Sequence, residues 1–236
     1  MSPRIGSMML LAAALLMGGG CGVAVDPISV AEACPAQPIR GPLEYADEPI
    51  AQMISDFESG TVNLTPVGGR DGAWVLGTDL TSGSLINEPS GRCVGRGKWS
   101  GHFLARGFTS WGVNWTAIFR NAAASTAMPY DGSRYGGISF WAAIGGGSVA
   151  PLDVPVGIVT MDTAWNSSIC DPCTDHYMAK VTVTSRWERK VVRFSDMAQS
   201  GRGNPLLPMR KDQMVGFVVW PTQSFDMWID DVRFEP

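Results

Sequence analysis

Few residues of this sequence combine the types and the spacing that catalysis requires. The chain has two histidines, His102 and His176, and no Gly-x-Ser-x-Gly segment that would present a nucleophilic serine. His102 lies in a strand-like run and is interpreted as structural, whereas His176 lies in a polar segment. A general base needs a partner within hydrogen-bond reach, and the sequence offers none for His176. We name no catalytic residue; enzymatic activity stays open, and a non-catalytic protein is favoured.

Cysteines are the next candidates for chemistry. Beyond the N-terminal segment the chain has four: Cys34, Cys93, Cys170 and Cys173. The Cys-x-x-Cys spacing of the last two permits a local disulfide, which would leave the first two to pair with each other. The same spacing, followed by His176, also suits zinc, and a Cys-x-x-Cys pair can be a redox site. An even number of cysteines in an exported chain favours disulfides, with zinc and redox chemistry left open.

The N-terminus has the pattern of an export signal. Arg4 precedes the apolar run Met8–Met17, and three glycines then precede Cys21. The run is shorter than the roughly 20 residues of a membrane span, so residues 1–21 are predicted to be a signal peptide with a lipobox-like end. We expect a lipid anchor on Cys21 and an outer-membrane or cell-surface location; the alternative is simple secretion or release into the periplasm. Four prolines in residues 22–48 predict an extended linker.

The elements that would position any site are strands. Alternating apolar and polar residues predict about nine of them between residues 49 and 236, and the helix signal is confined to one turn at Ser195–Gln199. The predicted strands are Ile50–Phe57, Phe103–Phe108, Gly112–Phe119, Gly137–Ala143, Val154–Met161, Met178–Thr184, Lys190–Phe194, Met214–Trp220 and Phe225–Phe234. This arrangement predicts an all-β, two-sheet antiparallel jelly-roll β-sandwich.

Composition narrows the classes of partner. Apolar residues make up 45% of the chain and charged residues 17%, which excludes disorder throughout. The formal net charge of −4 argues against nucleic-acid binding. Membrane contact is expected only through the lipid anchor, and we expect a monomer. Nine tryptophans supply both core volume and flat stacking surfaces.

Five segments carry a resemblance to a known group of proteins. They are Ile54–Gly60, Gly107–Gly112, Tyr135–Ala142, Trp187–Phe194 and Phe225–Phe234. Their order along the chain, together with the first and last segments that bracket the domain, resembles the galactose-binding-domain-like jelly rolls, especially family 11 carbohydrate-binding modules of bacterial secreted proteins. The resemblance covers residues 50 to 235, and no single segment is strongly specific.

The resemblance implies a polysaccharide ligand lying across the concave sheet or an edge loop. Aromatic faces and polar groups are what a sugar site needs, and six tryptophans are possible platforms: Trp74, Trp99, Trp111, Trp115, Trp165 and Trp220. Related proteins carry a Cys…Cys-Asn-Asp-His-Phe stretch that this chain matches at residues 170–177. The other two cysteines are additional to that pattern, which pairs Cys34 with Cys93. The predicted ligand-binding residues are Trp74, Trp111, Trp165, Asp175, His176 and Tyr177.

The resemblance also implies a structural calcium ion where the first and last strands meet. Calcium prefers six to eight oxygen ligands. Strand alternation would place Asp56 and Glu58 on one face, with Asp230 from the last strand opposite them. The alternative is an exposed, solvated acid pair.

Together these observations predict an exported, lipid-anchored, non-catalytic carbohydrate-binding protein. A cell-surface or periplasmic structural domain that binds other proteins is the alternative, and a polysaccharide-active hydrolase ranks third. A hydrolase would show two carboxylates about 5.5 or 6.5–9.5 Å apart in a pocket.

Overall fold

The computed structural model describes residues 34–35, 50–91, 93, 97–121, 128–165, 167, 169–170, 173–202, 207–221 and 224–236. The predicted signal peptide, Cys21 and most of the predicted linker lie outside these residues. The described part lies within one compact unit, Ala31–Pro236. Its strands are β1 (Met53–Ser55), β2 (Ala73–Thr78), β3 (Ser84–Ser90), β4 (Ser100–Arg106), β5 (Val113–Ile118), β6 (Gly137–Ile144), β7 (Leu152–Thr160), β8 (Tyr177–Val183), β9 (Glu188–Arg193), β10 (Met214–Val219) and β11 (Phe225–Glu235).

Short 3-10 helices are the helical elements of the described residues, at Ile50–Gln52, Phe194–Asp196 and Lys211–Gln213. The strands form two antiparallel sheets. The six-stranded sheet has the order β3-β4-β11-β6-β9, with β1 also paired to β11, and the five-stranded sheet has the order β2-β5-β10-β7-β8. The predicted all-β, two-sheet antiparallel architecture is confirmed. No helix in the described ranges is long and apolar enough to cross a membrane.

Two strands, β2 and β3, were not predicted from the sequence, and both lie at a sheet edge. Gly77 interrupts the apolar alternation of β2, and Pro89 falls within β3. Proline cannot donate to a strand ladder and is confined largely to edge strands or bulges. The edge position therefore explains both why these segments tolerate such residues and why their strand signal is weak.

The main hydrophobic cluster draws residues from both sheets and therefore lies between them. Phe103 of β4 stacks on Trp115 of β5 at 4.9 Å between ring centroids and 7° between ring planes. Trp74 packs against Phe103 at 5.1 Å. Stacked and tilted aromatic pairs bury large apolar areas, and this burial stabilises the sandwich.

Each sheet also carries a smaller apolar cluster on its other face. On the six-stranded sheet Cys93 packs with Ala143, Trp187 and Trp228. His102 stacks on Trp228 at 3.9 Å and hydrogen-bonds through Nε2 to the Asp226 carboxylate at 2.8 Å. The corresponding cluster on the five-stranded sheet contains Ile118, Val159, Ala164, Val215 and Val218.

Candidate functional site

A groove of about 510 Å³ runs over the outer face of the five-stranded sheet. Side chains alternate between the two faces of a strand, so Trp115 of β5 points into the core while Asn114 and Thr116 face the groove. In the same way Val75 of β2 and Val218 of β10 line the groove floor. The sheet thus supplies a regular, largely apolar surface with polar groups at fixed positions.

Three tryptophans stand at this groove: Trp111, Trp165 and Trp220. Trp111 and Trp165 are 40% and 56% exposed, so a large part of each residue is open to solvent. Trp111 meets Trp220 edge-on at 5.6 Å, and the Trp220 Nε1–H donates to the Trp111 carbonyl at 3.4 Å. This edge-on pair is an apolar wall of fixed orientation. Trp111 and Trp165 were among the predicted binding residues, and the structure places both here.

The loop that carries Trp111 is held by one carboxylate, that of Asp79. Its Oδ2 accepts backbone N–H groups of Ser110 at 2.8 Å and Gly112 at 2.9 Å. Its Oδ1 accepts the N–H of Thr81 at 2.9 Å and the hydroxyl of the same residue. Partial desolvation would raise the pKa of Asp79, but these hydrogen bonds outweigh it and lower the pKa to about 2.

The polar end of the groove is formed by Thr174, His176 and Arg202. Arg202 Nη2 donates to the carbonyl and the hydroxyl of Thr174, each at 3.3 Å. Burial lowers the pKa of His176 to about 4, with a smaller opposing effect from Asp175 and a further lowering by Arg202. At neutral pH His176 is therefore an uncharged hydrogen-bonding group.

Both disulfides are present in the structure, Cys170–Cys173 and Cys34–Cys93. The first closes a short loop immediately before Thr174, whose N–H donates to the Thr163 carbonyl at 3.0 Å. Disulfide-bonded sulfurs are not free thiolates, so the structure gives no support to the zinc or reduced-thiol alternatives.

Three predicted binding residues lie outside the groove lining and have structural contacts of their own. Trp74 is 2% exposed and lies in the core, because β2 was not predicted as a strand and its inward face was therefore not assigned. Asp175 is buried, and its carboxylate accepts N–H groups of Ser200 and Gly201 at 2.8 and 3.1 Å. Tyr177 points into the core from β8, with its hydroxyl donating to the Leu207 carbonyl at 2.9 Å.

Sequence reasoning missed Asn114 and Arg202, and it did not select Trp220 from the possible platforms. Alternation along predicted strands carried the signal for two of them, since Asn114 precedes core Trp115 and Trp220 lies two positions beyond groove-facing Val218. No local sequence pattern marks Arg202 as a groove residue, because it lies in a loop.

The structure does not bring Asp56, Glu58 and Asp230 together. Among the described residues no group of three or more His, Cys, Asp or Glu side chains is placed to hold a metal ion. Strand β1 ends at Ser55, and Phe57 has a φ of 56°, so the chain turns and the expected alternation fails.

The three carboxylates instead have partners within the chain. Asp56 Oδ1 accepts the Glu58 N–H at 3.2 Å, and Glu58 Oε1 accepts the N–H groups of Lys98 and Trp99 at 2.8 and 3.2 Å. Asp230 Oδ1 accepts the neighbouring Asp231 N–H at 2.8 Å. This donor set does not fit the calcium site that was predicted. Calcium binding itself stays a prediction, tested by melting curves with excess calcium and with chelator.

Comparison with solved structures relates this fold to known proteins. The family 11 carbohydrate-binding module from Clostridium thermocellum, in complex with a β-1,3-1,4-mixed-linked tetrasaccharide, aligns with a TM-score of 0.51 at 15% identity, covering 78% of this chain and 94% of that module. The chain has the fold of a family 11 carbohydrate-binding module. The solution structure of CtCBM11 aligns with a TM-score of 0.50 at 14% identity, again over 78% of this chain and 94% of the other. No protein-family model matches the sequence, and no curated protein matches it.

Proposed function

We propose that the protein is a non-catalytic carbohydrate-binding module and that the groove on the five-stranded sheet binds a glycan chain. The observation that carries this proposal is the presentation of two solvent-open tryptophans, Trp111 and Trp165, beside a groove whose floor is a rigid sheet. Single exposed apolar residues are ordinary on a protein surface, whereas grouped exposed aromatic side chains mark binding sites.

The chemistry of the groove suits a sugar ring. The C–H face of a pyranose is apolar and flat, so it can stack on an indole ring, which loses little conformational entropy on binding. Asn114, Thr116 and neutral His176 are uncharged polar groups near the rings. Such groups can hydrogen-bond sugar hydroxyls, and the combination of apolar surface with a few placed polar groups is typical of ligand sites.

The comparisons support the same ligand class. The family 11 module with the same fold was solved with a bound β-1,3-1,4-mixed-linked tetrasaccharide. A linear β-glucan is therefore the first glycan to test on this chain.

Export is part of the proposal. Two disulfides indicate an oxidising compartment, and the N-terminal pattern indicates a lipid anchor on Cys21. The intact mass of membrane-extracted protein tests the anchor. An unmodified N-terminus at any other residue would rule it out.

The binding proposal is tested with the described domain on a glycan array, followed by titration of the best ligand. Trp165→Ala should weaken binding about tenfold or more, since stacking on an indole contributes on the order of 1–2 kcal/mol. Trp99→Ala is the matched control: Trp99 is 36% exposed but lies beside Gly60, outside the groove lining.

Two results would contradict the proposal. One is the absence of binding to any glycan, which would favour the protein-interaction alternative. The other is glycan binding that Trp165→Ala and Trp99→Ala affect equally.

A further inference from the structure

The charge of the groove suggests a narrower class of ligand. Among the described residues that line it, Arg202 is the one ionised side chain, and none is Asp or Glu. His176 does not add a charge at neutral pH, because burial keeps its pKa near 4. Arg202 is thus the charge within the described groove lining; the Asp175 carboxylate next to His176 is buried outside that lining, where it accepts the N–H groups of Ser200 and Gly201.

Arg202 also shifts the hydrogen-bonding groups of the groove towards donors. Both oxygens of Thr174 accept from Arg202 at 3.3 Å, and Asn114 Oδ1 accepts the Thr116 hydroxyl at 3.4 Å. Each of these oxygens keeps a second lone pair, but an arginine brings five N–H donors and no acceptor. Such a site is best matched by a ligand that brings acceptors of its own.

The position of Arg202 allows it to make such contacts. The residue is exposed, and the two hydrogen bonds to Thr174 both come from Nη2, which fixes that end of the guanidinium. Thr174 is in turn held by its N–H bond to Thr163 and follows the Cys170–Cys173 disulfide. Holding the guanidinium in advance reduces the entropy lost when an anion binds.

We propose that the groove prefers glycans that carry carboxylate groups, such as chains of uronic acids, and that Arg202 pairs with the carboxylate while Trp111 and Trp165 stack on the rings. This inference rests on the proposed carbohydrate-binding function. Guanidinium and carboxylate form paired, charge-assisted hydrogen bonds, whereas a neutral hydroxymethyl group at the same position of the sugar offers a single uncharged oxygen and cannot form the paired contact.

The test compares oligosaccharides that differ only in the group at C6, which is a carboxylate in one member of each pair. Cellohexaose is titrated against its C6-oxidised form, the β-1,4-linked hexaglucuronate, and hexagalacturonate is titrated against its methyl ester. At low ionic strength we expect the acidic member of a pair to bind about tenfold more tightly, the size typical of a hydrogen bond to a charged group. Added salt should reduce this preference.

Two variants locate the preference. Arg202→Gln should abolish it, so that the two members of each pair bind with equal affinity. Arg186→Gln changes the net charge by the same amount at an exposed residue outside the groove lining, and it should leave the preference intact.

The possible failures are separable. Equal or weaker binding of both acidic oligosaccharides, or a preference that survives Arg202→Gln, overturns this inference. If neutral glycans then bind in a Trp165-dependent manner, the proposed carbohydrate-binding function stands alone. If none of these oligosaccharides binds, this inference falls, while the carbohydrate-binding function falls only if the glycan array also shows no ligand.

Discussion

At the scale of single residues, tryptophan side chains have two different roles in this protein. Trp74 is 2% exposed between the sheets, whereas Trp165 is 56% exposed at the groove. Strand alternation decides which role a tryptophan has when it lies in a strand, but Trp165 lies in a turn after β7 and escapes that rule. The sequence could therefore predict a supply of stacking surfaces better than it could predict which ones are open.

This contrast predicts that replacing a tryptophan by alanine has a large effect on stability at one position and a small effect at the other. Trp74→Ala should lower the free energy of unfolding by about 3–5 kcal/mol, because it leaves a large cavity in the core. Trp165→Ala should change it by about 0.5 kcal/mol or less, because an exposed ring leaves no cavity. Denaturant unfolding of both variants measures these differences. Similar losses in the two would contradict the assignment of Trp165 to the groove surface.

His176 gives a prediction about pH. Its pKa is about 4 in the folded protein, lowered by burial from an ordinary value of 6.5. Between these two values the unfolded chain binds a proton that the folded protein does not, so falling pH favours unfolding across this interval. We expect the folded protein to lose up to about 3 kcal/mol of stability from this residue between neutral pH and pH near 4.

The measurement compares denaturant unfolding of the wild type and His176→Gln over that pH range. Other groups titrate equally in both proteins, so the difference between the two slopes isolates His176. NMR titration of its ring protons gives the pKa directly, and a value near 6.5 would contradict the predicted loss of stability.

At the scale of elements, the strands were predictable and the irregularities were not. All nine predicted strands overlap strands of the structure. The errors arise where backbone geometry departs from regular alternation: Phe57 has a positive φ, and a bulge in β11 between Asp230 and Arg233 is accompanied by a positive φ at Asp231. Because of that bulge Val232 faces the core although Trp228, four residues earlier, packs on the other face. The two-residue alternation of a strand does not predict where a β-bulge inserts an extra residue.

Loop positioning by Asp79 is testable at the same scale. Asp79→Asn removes the charge and turns one of the accepting oxygens, which serve Ser110, Gly112 and Thr81, into a donor. The loop bearing Trp111 should then lose its fixed position, and glycan affinity should fall by about fivefold through lost pre-organisation. Isothermal titration measures this change, with Trp111→Ala as the reference for complete loss of that ring.

Asp153→Asn is the matched control, since the Asp153 carboxylate is exposed and accepts the hydroxyl of Thr182 at 2.7 Å outside the groove lining. It should bind glycan like the wild type. If Asp79→Asn also binds like the wild type, the carboxylate does not position the loop.

At the scale of the whole molecule, two sheets leave two outer faces, and the two disulfides are divided between them. Cys93 packs on the outer face of the six-stranded sheet, with Trp228. Cys170–Cys173 precedes Thr174, which lines the groove on the other sheet. The pairing could be proposed from cysteine spacing and from the resemblance. Its distribution between the faces could not, because it depends on how the strands are ordered in the sheets.

This division predicts that one disulfide governs stability and the other governs binding. The bonds span sequence separations of 59 and 3 residues, and constraining the longer loop removes more entropy from the unfolded chain. The loop-closure relation gives about 4 kcal/mol for Cys34–Cys93 and about 2 kcal/mol for Cys170–Cys173. The double variants Cys34→Ala/Cys93→Ala and Cys170→Ala/Cys173→Ala should therefore differ clearly in denaturant unfolding.

Glycan titration of the same two variants should show the reverse order, with weaker binding only when the bond beside Thr174 is removed. Loss of binding in the first variant under conditions where it remains folded would show that the two faces are coupled.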